Sequence, residues 1–119
     1  MKKEFRIKKG DEIELVMKKG FSKANRTFIV YKLKNPAIDK YRVAISAPKK
    51  LGKAVVRNKV KRQIRDVLQQ NESLFQNGHD YFIIARPDIL AIDFVTITKQ
   101  MNHIMRLISQ PLQSKGEKS

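Results

Sequence analysis

The chain has no cysteine among its 119 residues. That excludes a disulfide framework, a thiolate nucleophile and a Cys-ligated zinc site. No apolar run approaches the roughly 18 residues of a membrane-spanning helix, and there is no internal repeat. Lys2 and Lys3 are basic, but Glu4 to Gly10 is no apolar signal core. The expectation is a cytoplasmic chain without a membrane partner. Glycine is scarce, and Gly52 stands apart from any phosphate-cradling Gly-rich loop. The two histidines, His79 and His103, have no His, Asp or Glu at metal-ligand spacing. Acidic residues are few and scattered. Their densest group, Asp11, Glu12 and Glu14, reads as a helix start, with Asp11 as cap and Glu14 closing a capping box. Hydrolysis of a phosphodiester by protein alone takes gathered carboxylates with metal ions, or paired His and Lys. Neither is present, so no catalytic residue and no metal ligand is assigned.

Positive charge is what the chain has in excess. Twenty-six Lys and Arg against eleven Asp and Glu give +15, with an isoelectric point near 10.3. Such a charge points to an anionic partner. It concentrates in Lys49 to Leu68, KKLGKAVVRNKVKRQIRDVL, where Lys49 to Arg65 holds eight cations and no acid. The run also carries a helical pattern. Val56, Val60, Ile64, Val67 and Leu68 form one apolar stripe. Asn58, Lys61, Arg62 and Arg65 fall opposite it, and Arg57 lies on its edge near the first turn. One face packs while the other holds cations in fixed positions. Solvated helix faces usually mix signs for i,i+4 pairing. This one fits regularly spaced phosphates, to which Arg binds bidentately and Lys as a point charge.

At this length the chain is one domain. A basic N-terminal arm leads to a helix over Glu12–Lys19, with Gly20 as its C′ residue. Phe21 to Asn25 is a short strand or loop. Thr27 to Lys34 and Tyr41 to Ala47 are strands, separated by an Asn35-Pro36 turn. In the first, Thr27, Ile29, Tyr31 and Leu33 share one face; Phe28, Val30, Lys32 and Lys34 share the other. The basic helix runs to about Gln70. Asn77-Gly78 marks a turn. Tyr81 to Ala85 is a continuous apolar run, as in a strand buried on both faces. Pro87 breaks it, and Asp93 caps a last helix through Ile108. The fold class is α+β: a single-domain two-layer sandwich of about four strands and three helices, in the order α-β-β-β-α-β-α. Residues 1–110 form the domain; 111–119 are a basic tail with no fold of its own expected.

Arg57-Asn58-Lys59-Val60-Lys61-Arg62-Gln63-Ile64-Arg65 resembles the Arg-Asn-Arg-x-Lys-Arg-x-x-Arg signature of the bacterial ribonuclease P protein component. Lys59 stands where that family more often has Arg, which keeps the charge but loses the bidentate fork. Phe5-Arg6-Ile7, Ala24-Asn25-Arg26-Thr27-Phe28-Ile29-Val30-Tyr31 and Asp80 to Arg86 are similar to further segments of the family. The resemblance implies a left-handed β-α-β crossover. It implies a protein subunit that assists a catalytic RNA, served by Mg²⁺, in removing the 5′ leader from precursor tRNA. It places RNA-subunit binding on Arg57, Asn58, Lys59, Lys61, Arg62 and Arg65. It places a leader cleft on Ile13, Met17, Tyr31, Lys49 and Lys50, with Ile13 and Met17 where the family tends to have aromatic rings. The implied partners are the catalytic RNA and the leader; no protein partner is required.

Two other classes fit the charge and fold pattern. A structural RNA-binding protein of ribosomal type would co-purify with ribosomes. A protein-only nuclease would cleave RNA unaided.

Overall fold

The computed structural model describes residues 6–7 and 9–109. The expected tail, 111–119, and the arm before Arg6 lie outside the described residues. The elements are α1 (Gly10–Lys19), β1 (Phe21–Ala24), β2 (Phe28–Lys34), β3 (Arg42–Ser46), α2 (Ala54–Gln70), β4 (His79–Ala85) and α3 (Phe94–Ser109). Short 3₁₀ turns at Lys49–Leu51, Glu72–Leu74 and Pro87–Ala91 join them.

The sheet order is β1-β2-β4-β3. β4 pairs antiparallel with β2 and parallel with β3, so β3-α2-β4 is a parallel crossover unit. This explains the unbroken apolar run of β4, which lies between two strands and is covered on both faces. Val60, Ile64, Val67 and Leu68 of α2 pack with Ile97, Met101, Ile104, Met105 and Ile108 of α3 against Phe28, Val30, Val43, Tyr81 and Ile83. On the opposite face Val16 of α1, with Ile7, covers Ala44 and Phe82. The two-layer packing of α2 and α3 on the sheet thus gains a short third layer. Asp93 caps α3 as expected, its Oδ1 accepting from Thr96 N at 2.9 Å.

The start of α1 differs from expectation. Lys9 is the N-cap residue, and no side chain caps the helix. Asp11 lies inside the first turn, where its charge still suits the helix dipole. The helix entry is set one step earlier: Ile7 N donates to Val43 O at 3.1 Å, and Arg6 bridges to β3. Gly20 ends the helix in an extended conformation, φ −77°. Glycine is required there for proximity, since a Cβ would lie 2.5 Å from Lys32 O.

Lys32 is 6% exposed on the core face of β2. Its Nζ donates to Gln76 Oε1 and stands 5.9 Å from the centre of the Tyr81 ring. Burial pushes its pKa below the usual 10.5. Below the lowered folded value the ammonium is charged in both states, and folding bears its full desolvation cost. As pH rises from there towards 10.5, the unfolded chain holds a proton that the folded one has lost, so stability rises. Lys32→Met is therefore expected to stabilise the domain at neutral pH, by an amount on the order of 1 kcal/mol. The gain should shrink towards pH 10.5. Urea midpoints of both proteins at the two pH values check this.

Candidate nucleic-acid interface

Gly52 has φ 135°, a region that side-chain-bearing residues rarely enter, and it turns the chain from the Lys49–Leu51 turn into α2. The stripe then packs as its spacing dictates: Val60, Ile64, Val67 and Leu68 are buried, and Val56 half-buried. Asn58, Lys59 and Arg62 are exposed; Arg57, Lys61 and Arg65 are half-buried. Arg57 Nε donates to Ala47 O at 3.0 Å, tying its guanidinium to the end of β3. Among the described residues, ion pairs to carboxylates involve Arg26 and Arg42, and none involves a cation of Lys49 to Arg65. These charges are held on a packed helix, with no carboxylate among the described residues neutralising them.

The α2 cations divide between two sides. Arg65 lines a cavity of about 170 Å³ at the outer edge of β3, with Arg6, Ile7 and Ile13. Lys59 and Arg62 line a larger trough against the Pro87–Ala91 turn. Helical periodicity predicted one positive face; the packing of α2 between the β3 edge and this turn sends its flanks to different surroundings.

The expected leader residues are also spread out. Tyr31 is half-buried on the α1 side of the sheet, its ring centre 6.3 Å from that of Phe82. Ile13 packs into the small core of that face and lines the β3-edge cavity, so it serves both as core and as cavity wall. Met17 is 41% exposed. Lys49 and Lys50 are exposed but do not share the Tyr31 row, which continues through Phe82 and Ala44. They lie beyond the C-terminal end of β3, after Pro48.

Register identifies residues that the sequence reading left without a role. The row next to Tyr31 is Ile29, Ile84 and Ser46, all half-buried. It leads towards the sheet end where Lys49 and Lys50 lie. At that end Arg86 Nη1 donates to Asn25 O at 2.8 Å, and Arg26 pairs with Asp88 at 3.7 Å. Asn25 anchors the corner: its Oδ1 accepts from Thr27 N and Phe28 N, and its Nδ2 donates to Gln100 O of α3. Arg26 and Arg86 stood in recognisable sequence segments, but only the Phe28–Ala85 pairing brings those segments together.

His103 Nδ1 lies 3.3 Å from Asn25 Nδ2, and His79 Nδ1 lies 3.1 Å from Asn77 O. Among the described residues no three of His, Asp or Glu gather to hold a metal. The arrangement suits binding polyanions.

A family model described as Ribonuclease P matches residues 1–109. The chain is 41% identical over 106 residues to the ribonuclease P protein component of Geobacillus kaustophilus, covering 89% of this chain and 88% of the relative. It is 40% identical over 107 residues to that of Listeria monocytogenes, covering 90% of each. The structure of Staphylococcus aureus RNase P protein superposes with a TM-score of 0.82 at 38% identity, over 88% of this chain and 95% of that one. The RNase P protein from Thermotoga maritima gives 0.75 at 31%, over 85% and 96%.

Proposed function

The chain belongs to the ribonuclease P protein family, and from that premise we propose which of its surfaces meets which RNA. It is the non-catalytic protein subunit of ribonuclease P, which removes the 5′ leader from precursor tRNA; catalysis resides in the RNA. Arg57, Asn58, Lys59, Lys61, Arg62 and Arg65 bind the RNA subunit. The observation that carries this is that Arg57, Lys59, Lys61, Arg62 and Arg65 have no carboxylate partner among the described residues. Neutralising phosphates releases counterions, which drives association and lets two polyanions approach each other. Mg²⁺ serves the RNA subunit in this reading, as the family resemblance implies; among the described residues no three of His, Asp or Glu gather to hold a metal ion.

The 5′ leader lies on the α1 side of the sheet, across Tyr31 and the half-buried Ile29 and Ile84, with Ile13 and Met17 along α1. Lys49 and Lys50 meet its phosphates at the sheet end, joined there by Arg26 and Arg86. Residues 1–110 act as the RNA-binding domain and 111–119 as its basic tail; no protein partner is needed. No helix among the described residues is long and apolar enough to cross a membrane. The chain acts in the cytoplasm, where precursor tRNA is processed.

The test is cleavage of precursor tRNA by the purified chain with and without a bacterial ribonuclease P RNA. Correct 5′ maturation is expected only with the RNA. Cleavage by the protein alone would overturn this reading.

The leader assignment has its own test. Stacking on an aromatic ring contributes about 1–3 kcal/mol per base. Tyr31 leans on Phe82, so one side of its ring is occupied. Tyr31→Ala is expected to weaken holoenzyme binding of precursor tRNA about tenfold, the lower end of that range. Mature tRNA should bind unchanged. Met17→Phe, adding a ring at a site 41% exposed, should tighten precursor binding. Equal weakening of both RNAs by Tyr31→Ala would return Tyr31 to a purely structural role.

A further inference from the structure

One apolar residue of α2 stands outside its packed stripe. Val55, at the start of the helix, is 80% exposed, and Leu90 of the Pro87–Ala91 turn is 50% exposed. Single exposed apolar side chains are ordinary. These two wall one trough of about 460 Å³, whose floor is formed by Val60 and Ile89, each 2% exposed. That volume lies within the roughly 300–1,000 Å³ of clefts that bury a small ligand. Lys59 and Arg62 stand on the α2 side of the same trough, and neither pairs with a carboxylate among the described residues. Gln63, also in the lining, offers an amide donor and acceptor.

An occupant matching these features is apolar in its body, hydrogen-bonding at its edge and anionic beside it. Those are the properties of an unstacked nucleoside within an RNA strand. A second copy of this chain matches poorly, because it also carries +15 and would oppose like charge to Lys59 and Arg62. Resting on the assignment of α2 to the RNA subunit, we propose that this trough seats one unstacked nucleobase of that RNA. Its flanking phosphates are held by Lys59 and Arg62. The helix would then recognise a point in the RNA where a base leaves the stack, in addition to the phosphate backbone.

The experiment uses the full chain and the ribonuclease P RNA subunit, with Kd measured across a salt series. The double variant Val55→Ser with Leu90→Ser alters two exposed positions, and circular dichroism confirms its fold. Its Kd is expected to rise about tenfold from lost apolar contact. The slope against log salt should not change, because no phosphate contact is lost. Arg62→Ala, run in parallel, should weaken binding and flatten the slope. If the double variant binds as the natural chain does while Arg62→Ala is weakened, the nucleobase proposal is overturned and the α2 interface stands. If neither variant changes Kd, both fail. If the natural chain self-associates and the double variant does not, at unchanged Kd, the trough is a protein–protein contact and the proposal is overturned.

Discussion

Asp80→Ala is expected to lower the unfolding free energy by about 3–5 kcal/mol, a large part of what a domain of this size has. Asp80 is 4% exposed at the start of β4. Its carboxylate takes a bidentate bond from Arg42, Nε to Oδ1 at 2.9 Å and Nη2 to Oδ2 at 3.0 Å. Asn35 Nδ2 adds a third at 3.0 Å. The hydrogen bond and the negative charge of Asp80 hold the Arg42 guanidinium above its usual pKa, against the opposing effect of burial. Without Asp80 a largely buried cation remains, with Glu12 at 3.4 Å as the carboxylate beside it. Glu12 is 38% exposed on its side chain, and a solvent-screened pair of that kind is worth about 0–1 kcal/mol. Glu12→Ala should accordingly cost under about 1 kcal/mol. Urea unfolding followed by circular dichroism distinguishes the two. A loss near 1 kcal/mol for Asp80→Ala would mean that solvent reaches Arg42 in the folded state. Asp80→Asn separates charge from shape: it should retain the Asn35 contact yet lose most of the stability.

Replacing Lys59, Arg62 and Arg65 together by Ala is expected to weaken RNA-subunit binding by about two to three orders of magnitude near 0.1 M salt. Each phosphate contact contributes roughly 0.7–0.9 to the slope of log affinity against log salt, so the slope should flatten by about 2 to 3. The three side chains are exposed or half-buried and make no ion pair among the described residues, so the fold should survive. The two sides of α2 make the effect divisible. Arg65 faces the β3 edge, and Lys59 and Arg62 face the Pro87–Ala91 turn. If the RNA spans both sides, the single substitutions should each flatten the slope by about one contact and sum to the triple. If Arg65→Ala leaves both affinity and slope unchanged, the RNA meets only the Lys59–Arg62 side.

Element order and the basic helix were legible without a structure because both are local. The stripe from Val56 to Leu68 repeats within about four turns, and the Arg57 to Arg65 signature is contiguous, so helix and partner class follow from short-range pattern. The apolar run of β4 likewise carried its central position. Other features depended on residues far apart in the chain. Alternation put Lys32 beside Phe28 and Val30, but its burial required Gln76 and Tyr81 to close over it. The Asp11 capping box failed because Ile7 pairs with Val43 and fixes the chain before Asp11 is reached.

By itself, then, the sequence determined an α+β chain carrying a cation array on one amphipathic helix, since amphipathic period and charge are properties of neighbouring residues. The tertiary structure alone decided that this array divides between two cavities. It decided too that Arg42 is spent on Asp80 while the α2 cations make no ion pair among the described residues, and that Lys49 and Lys50 stand at the sheet end with Arg26 and Arg86 rather than beside Tyr31. Each of these depends on strand register and helix placement, which join segments tens of residues apart, and no local pattern encodes which of them meet.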